Sequence, residues 1–363
     1  MPISERDIAH ELARRRHGHG RGPRMEIEKD DFEIVAGVRG GFTIGSPVGV
    51  AIHNSEWEKW AHVMRAEGSP GGRKLTRPRP GHADLPGMLK YDFTDARNVL
   101  ERASARETVA RTAIGTFAKV LLTQLGIRLV SHVVRIGSAA VDNSRPLPGP
   151  ADLKVIDASP VRCFDAEASQ TMVTAIDQAA EDGDSLGGVV EVLAFDLPVG
   201  LGSHVHWDRR LDGRIAGALM AVPGMKGVEL GDGFSLGGRR GSEAHDEIEP
   251  DLTRATNRAG GTEGGMSIGG ILRVRAAMKP LSTLKKRLAS VDLTTGDPTK
   301  AFQERTDVCS VPAAGVVCEH VVALVVADAV IESFGGDTVD DLRATVRRYR
   351  ERISRPPTRR TYP

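Results

Sequence analysis

The stretch Glu107-Thr-Val-Ala-Arg-Thr-Ala-Ile-Gly-Thr-Phe-Ala-Lys-Val-Leu-Leu-Thr-Gln-Leu125, together with the segments on either side of it, decides the fold class. Val109, Ala113, Ile114, Phe117, Val120, Leu121 and Leu125 recur at helical spacing, with two basic residues and few acids among them, so the spacing predicts a helix. Residues 127–136 then read as strand, followed by a Pro-rich connection over 146–150. Working outward, Ser4-Glu-Arg-Asp7 has the form of a capping box, with Ile8 and Leu12 one turn apart, and predicts a helix from Ser4 to near Gly18. Short apolar runs broken by glycine between Phe32 and Ile52 read as antiparallel strands. Residues 64–81, rich in Gly, Pro and Arg, read as a mobile loop. Beyond the centre, helices are predicted over 170–181, 214–220, 313–333 and 339–353, and strands over 189–197, 227–230 and 271–277. Strands and helices are mixed without regular alternation, which argues against a doubly wound parallel sheet and for an α+β fold. Residues 1–354 are expected to form one domain and 355–363, with Pro356 and Pro357, a disordered tail.

Composition removes several function classes. Among 363 residues, 49 Lys+Arg face 48 Asp+Glu, a net charge of +1, so no global field favours nucleic acid or an anionic membrane. Aromatic residues are 4%, too few for a base-stacking platform. Cys163, Cys309 and Cys318 lack metal-ligand spacing and fit a reduced, cytoplasmic setting. The longest apolar run, 321–331, is interrupted by Asp328 and is short for a bilayer, so no membrane insertion is expected.

Several short runs share one need. Arg14-Arg-Arg16-His-Gly-His-Gly-Arg21-Gly-Pro-Arg24 is dense in cations after a predicted helix; alone it reads as a solvated face or a nucleic-acid patch. His17 and His19 lack the carboxylate or cysteine neighbours of a metal site, and no metal is expected. Arg77-Pro-Arg-Pro-Gly-His82-Ala-Asp84 sets a histidine after a rigid Pro-Gly turn; a lone histidine is usually structural, but prolines on both sides of Arg79 fix where His82 points. Arg102-Ala-Ser104-Ala-Arg106-Glu-Thr108 enters the central helix, so its hydroxyls and N–H groups cluster at a helix N-terminus, where anions bind. Lys226-Gly-Val-Glu-Leu-Gly231-Asp232-Gly233-Phe234, Gly260-Gly-Thr-Glu263-Gly-Gly-Met266 and Ala277-Met-Lys279-Pro-Leu-Ser282-Thr283 are each weak signals alone. Arg305-Thr-Asp307-Val-Cys309 reads by itself as an acid and its partner ahead of an apolar helix.

Taken in order along one chain, these runs resemble chorismate synthase, over nearly the whole length. The resemblance implies a β-α-β sandwich, antiparallel sheets enclosing a helical layer, assembled as a homotetramer. It implies loss of phosphate and a proton from 5-enolpyruvylshikimate 3-phosphate in an anti-1,4-elimination that gives chorismate, the seventh step of the shikimate pathway. Reduced FMN is required although no net redox change occurs, and NADPH is a possible reductant. By the same resemblance His82 sits close to the flavin and Asp307 works on flavin N5. FMN contacts fall on Arg102, Ala103, Ser104, Pro223, Gly224, Gly264, Lys279, Pro280, Leu281, Ser282, Thr283 and Arg305. Arg15 and Arg21 take the positions assigned to the nicotinamide nucleotide, Arg21 could equally face the phosphorylated substrate, and Arg106 faces substrate. Thr306 replaces the family's usual serine and keeps the hydroxyl.

The family's opening strand and Gly-Glu-Ser-His-Gly run, which carries a second catalytic histidine and a neighbouring serine, are expected ahead of residue 1. An internally placed start at Met1, a lowered rate and an exposed sheet edge are the corresponding expectations. Two other readings stand beside the enzyme: a catalytically impaired flavin-binding or tetramer-forming remnant that keeps the cofactor loops but lacks the N-terminal catalytic histidine, and a nucleic-acid binder using residues 14–24, which would show steep salt dependence.

Overall fold

The structure, a computed structural model, describes residues 1–22, 29–69, 71–103 and 105–354, with the side chains of Ala105 and Arg106 outside that description. The expected disordered tail also lies outside the described residues. The first half comprises α1 (Glu5–Arg16), β1 (Phe32–Ala36), β2 (Val38–Arg39), β3 (Phe42–Thr43), β4 (Gly49–Ile52), α2 (Trp57–Trp60), α3 (Asp84–Tyr91), α4 (Arg97–Leu100), α5 (Ala105–Gln124), β5 (Arg128–Ile136), β6 (Ala139–Ala140), α6 (Leu153–Ala158) and α7 (Ala166–Glu181). The second comprises β7 (Gly188–Phe195), α8 (Leu211–Met220), β8 (Met225–Leu230), α9 (Gly241–Ala244), β9 (Thr262–Glu263), β10 (Met266–Ser267), β11 (Leu272–Met278), β12 (Ala289–Val291), β13 (Pro298–Lys300), α10 (Val311–Phe334) and α11 (Val339–Ile353).

One five-stranded sheet, in the order β6-β5-β7-β11-β8 and antiparallel throughout, carries the fold. Val190, Val192 and Ala194 of β7 and Val274 and Ala276 of β11 are buried, and α10 packs on β5, β7, α5 and α8. Seventeen of the 24 residues of α10 are buried, so this helix is apolar over most of its surface because it is packed on most sides. By length and composition it would cross a bilayer, which corrects the shorter run read from sequence, but 78% of its most apolar window lies inside the fold. On the far side, Ile8 and Leu12 of α1 and Val109 and Ala113 of α5 form a second cluster with Phe32, Ile34 and Ile52 from the antiparallel β1–β4 pair. Helices are therefore enclosed between a large sheet and a two-stranded one, as the sandwich expectation requires. Gly115 marks where α5 crosses α10: a Cβ there would come within 2.9 Å of the His320 carbonyl oxygen and closer still to its Cβ.

The capping box forms in part, with the Ser4 N–H and hydroxyl each donating to Asp7 Oδ2 at 2.8 Å. The helix it starts runs through Arg16, which changes the reading of the basic run. Its first arginines belong to the last turn of α1, and Arg14 is in the core. Arg14 donates to Glu319 at 2.8 and 3.1 Å, to Asp157 at 2.9 Å and to Glu11 at 2.5 Å. Lys119 and Ser131 also donate to Glu319, at 2.5 and 2.6 Å. Burial works to raise the Glu319 pKa, and the charges of Arg14 and Lys119 overcome it, holding the carboxylate well below its usual range.

A second buried carboxylate ties the sheet together. Glu191 stands in register with His132 on β5 and Arg275 on β11, and accepts from their Nε2 at 3.0 Å and Nε at 2.7 Å. Burial pushes this group up, but the hydrogen bond and charge of His132, then those of Arg275, lower it from 4.5 to about 2. A pKa depressed in the folded state contributes stability above the unfolded value, and that stability is lost as pH falls from about 4.5 through about 2. At about 1.4 kcal/mol per unit this is of the order of 3 kcal/mol. Glu191→Gln is therefore expected to lower stability at neutral pH by about 3 kcal/mol and to flatten the acid limb. Urea titrations at several pH values check this, and an unchanged midpoint at neutral pH would contradict it.

Candidate functional site

The Arg77 to Asp84 run folds into a tight knot around a carboxylate. Gly81 adopts a φ of +74°, which favours glycine, and the chain then enters α3 at Asp84. Asp84 has no exposed surface. Its Oδ2 accepts from the Arg79 backbone N–H at 3.0 Å and from Arg79 Nε at 2.8 Å; its Oδ1 accepts from Arg79 Nη2 at 3.0 Å and lies 2.5 Å from His82 Nδ1. Burial raises the Asp84 pKa, and hydrogen bonds from His82 and Arg79, with their charges, overcome it and hold the carboxyl below the usual carboxylate range. The Arg79 guanidinium also donates to Thr283 Oγ1 at 2.9 Å and lies over the Phe302 ring at 4.6 Å.

That bond to Thr283 joins two of the runs. Lys279 follows the last residue of β11; its ammonium donates to the Gly81 carbonyl at 2.6 Å and its backbone N–H to the Gly224 carbonyl at 3.0 Å. Gly224, at φ +90°, lies in the turn between α8 and β8, beside Pro223. Leu281 is held by the Ser185 hydroxyl at 2.7 Å. Gly187 presses on the same backbone, since a Cβ there would lie 2.7 Å from the Lys279 carbonyl carbon and the Pro280 nitrogen. The His82 turn, the 223–224 turn and the 279–283 run are thus one cluster. It is cationic: burial, then Lys226 and Arg79, push the Lys279 pKa down.

Asp307 is anchored to the same frame. Leu186, next to Ser185, donates its N–H to the Val308 carbonyl at 2.9 Å. Asp307 Oδ2 pairs with Arg21 at 2.8 Å and accepts from the Ser310 hydroxyl at 2.8 Å, while Oδ1 accepts from the Gly22 N–H at 2.7 Å. The Gly20 carbonyl accepts from the Val308 and Cys309 N–H groups at 2.8 and 3.3 Å. Residues 185–187 therefore touch the Lys279 run on one side and the Asp307 loop on the other. Arg305 points elsewhere, donating to Glu56 at 2.6 Å.

Other expected residues lie apart or outside the description. Arg15 is buried and paired with Asp30 at 3.1 Å. Gly264 is an exposed turn between β9 and β10, near the start of β11, whereas Lys279 follows its end. Arg102 and Ala103 follow α4, their N–H groups bonded to the Val99 carbonyl; Ser104 and the Arg106 side chain lie outside the described residues. Arg111 donates to the Ala221 carbonyl at 3.0 Å, which brings the first half of α5 beside the 221–224 turn. Sequence reasoning gave no role to Asp84, Arg79, Ser185, Glu56 or Ser310. Asp84 had a signal, an acid two residues after the histidine in the same run; Ser185 and Glu56 had none, because their contacts span about a hundred residues or more.

The assembled geometry is that of an enzyme site, with an ionised buried carboxylate behind a histidine, a cluster of cations and a second carboxylate nearby. A family model described as chorismate synthase matches residues 1–331. Chorismate synthases of Paenarthrobacter aurescens and Acidothermus cellulolyticus are 55% and 58% identical to this chain. The first alignment covers 97% of this chain and 92% of the relative, the second 93% and 89%. A solved structure titled "Crystal Structure of Chorismate Synthase" superimposes with a TM-score of 0.76 at 38% identity, covering 97% of this chain and 91% of that one. The chain belongs to the chorismate synthase family, whose members are lyases.

Because Gly187 presses on backbone and not on the end of a flexible side chain, Gly187→Ala must displace residues 278–280. A loss of about 1–3 kcal/mol is expected, as for overpacked sites. Amide shifts should move in both the 279–283 run and the Val308 loop. An unchanged melting temperature with shifts confined to residue 187 would contradict this coupling.

Proposed function

We propose that this chain converts 5-enolpyruvylshikimate 3-phosphate into chorismate, with loss of phosphate and a proton, in the presence of reduced FMN. The observation that carries this reading is the cationic cluster in which the Lys279 ammonium is held on the Gly81 carbonyl and Arg79 on Thr283 of the same run, with the charges of Lys226 and Arg79 adding to burial in lowering the Lys279 pKa. An anionic cofactor and a phosphorylated, carboxylated substrate are what such a cluster suits. Arg102, Ala103, Ser104, Pro223, Gly224 and Lys279 to Thr283 would hold FMN, and Arg305 would join them by leaving Glu56. When bound, the reduced flavin supplies electron density that helps the phosphate leave and is returned afterwards, so oxidation state is conserved. His82 holds a proton at an imidazole nitrogen beside the cluster, where a positioned side chain can deliver it. Asp307 takes up the proton that the elimination releases, and its bond to Arg21 keeps a cation within reach of the substrate phosphate. Arg106 would face the substrate carboxylates.

Gly264 joins this set most simply from a second copy, since a seven-residue strand separates it from Lys279 and such a strand spans roughly 20 Å. That supports a site completed by a neighbouring copy, as the homotetramer reading requires. For NADPH, each of the two arginines would have to leave a carboxylate, Arg21 that of Asp307 and Arg15 that of Asp30, and Arg21 is the less buried of the two. Three buried free thiols suit a cytoplasmic setting.

Anaerobic assays with chemically reduced FMN, following chorismate by absorbance, test the reading. Turnover is expected in the wild type, with losses of about 10²-fold or more in His82→Ala and Asp307→Asn. Absence of turnover under reduced FMN, with flavin still bound, would overturn it.

A further inference from the structure

The elimination chemistry uses His82 but leaves the carboxylate behind it without a role. Asp84 is fully buried, and both its oxygens are engaged by donors whose identity is fixed. Arg79 has no acceptor atom and stays protonated in proteins. Oδ2, which takes both the Arg79 backbone N–H and Nε, therefore has to be an acceptor. Held ionised by these donors, Asp84 has no proton to offer, so the 2.5 Å contact between Oδ1 and His82 Nδ1 requires the hydrogen to be on Nδ1. Arg79 Nη2 lies 3.1 Å from Nδ1 and 3.3 Å from Nε2. Being a donor only, it cannot take the Nδ1 proton either.

We propose that Asp84 is a positioning residue that locks His82 in the Nδ1–H tautomer, so that Nε2 alone gains and loses the proton during the reaction. The charged groups around the ring are Arg79 and Asp84, with Lys279 at the Gly81 carbonyl. The lock is tied to the 279–283 run, because Arg79, which orients Asp84, is itself fixed by the Thr283 hydroxyl. A change in that run thus reaches the histidine through three hydrogen bonds, Thr283 to Arg79, Arg79 to Asp84 and Asp84 to His82. The inference rests on the reading of His82 as a residue that faces the flavin, but the tautomer itself does not depend on flavin.

Asp84→Asn separates positioning from simple packing. Arg79 places two donors at Oδ2 and one, Nη2, at Oδ1, so the amide oxygen goes to the Oδ2 place, and the amide nitrogen at the Oδ1 place turns its N–H away from Nη2 and toward His82 Nδ1. The ring must then accept at Nδ1 and carry its proton on Nε2. The test is long-range proton–nitrogen correlation spectroscopy on the 15N-labelled, flavin-free full chain at alkaline pH, with the His82 signals identified by their loss in His82→Gln. Expected are the Nδ1–H tautomer in the wild type, the Nε2–H tautomer in Asp84→Asn, and a fall in kcat of roughly a hundredfold with little change in KM. An Nε2–H tautomer in the wild type overturns the proposal, and so does an Asp84→Asn protein with the wild-type tautomer. Should the variant fail to fold, the wild-type spectrum decides alone. A swapped tautomer in a chain that shows no turnover with reduced FMN would remove the flavin reading and leave the positioning role standing.

Discussion

A carboxylate with no exposed surface on a largely apolar core helix has to be neutralised where it sits, because an isolated buried charge costs several kcal/mol even after relaxation. Glu319 imposes that requirement on α10, and the partners come from three other elements: Arg14 from α1, Lys119 from α5 and Ser131 from β5. The ion cluster therefore specifies which helix faces cross and at what height, something non-directional contacts among the surrounding Val and Ala side chains do less well. Arg162 adds to it from the segment before α7, with 1% of its surface exposed, donating to Asp157 and to the Ser131 carbonyl. Burial, then the nearby charge of Arg14, lowers its pKa to about 9. Hydrophobic burial supplies the drive, and the charges supply the register.

The same logic recurs at the site on a smaller scale. Asp84 gathers Arg79 and His82 into one turn, and Arg79 extends that order to Thr283 and to the Phe302 ring. Phe302 belongs to the segment that continues to Asp307, and its N–H donates to the Arg77 carbonyl at 3.0 Å. The two carboxylates of the site thus stand at opposite ends of a connected set of backbone and side-chain bonds. Such positioning by locked neighbours is what acid–base chemistry needs, since small displacements of a proton donor cost rate steeply.

Much of this was legible in the amino-acid order. The central helix, the strand after it, the last two helices and the absence of βα alternation followed from period and turn residues, because local patterning controls those features. Helix α3 was missed: Pro86 and Gly87 discourage a helix by propensity, yet Pro86 falls in the first turn, where proline is tolerated, and Gly87 is needed because a Cβ would strike Val99. The run at Arg14 reads alone as a solvated face or a nucleic-acid patch, and by the resemblance as a stretch that contacts a nicotinamide nucleotide. Nothing local says that Arg14 and Arg15 turn inward; the acids that draw them in include Glu319 and Asp157, far along the chain. For the site, the motifs named His82, Lys279 and Thr283, but that they meet depends on β11 ending beside the Gly81 turn, a tertiary fact.

At the centre stands one claim, that the His82 turn, the 223–224 turn, the 279–283 run and Asp307 line a single flavin and substrate site. A crystal structure of the protein with FMN and 5-enolpyruvylshikimate 3-phosphate measures this directly. Isoalloxazine density bounded by His82 and the 279–283 backbone, with the substrate phosphate on the Arg21 side, is the expected result. A flavin seated away from His82, or His82 and Asp307 on separate faces of the assembled protein with no ligand between them, would contradict it.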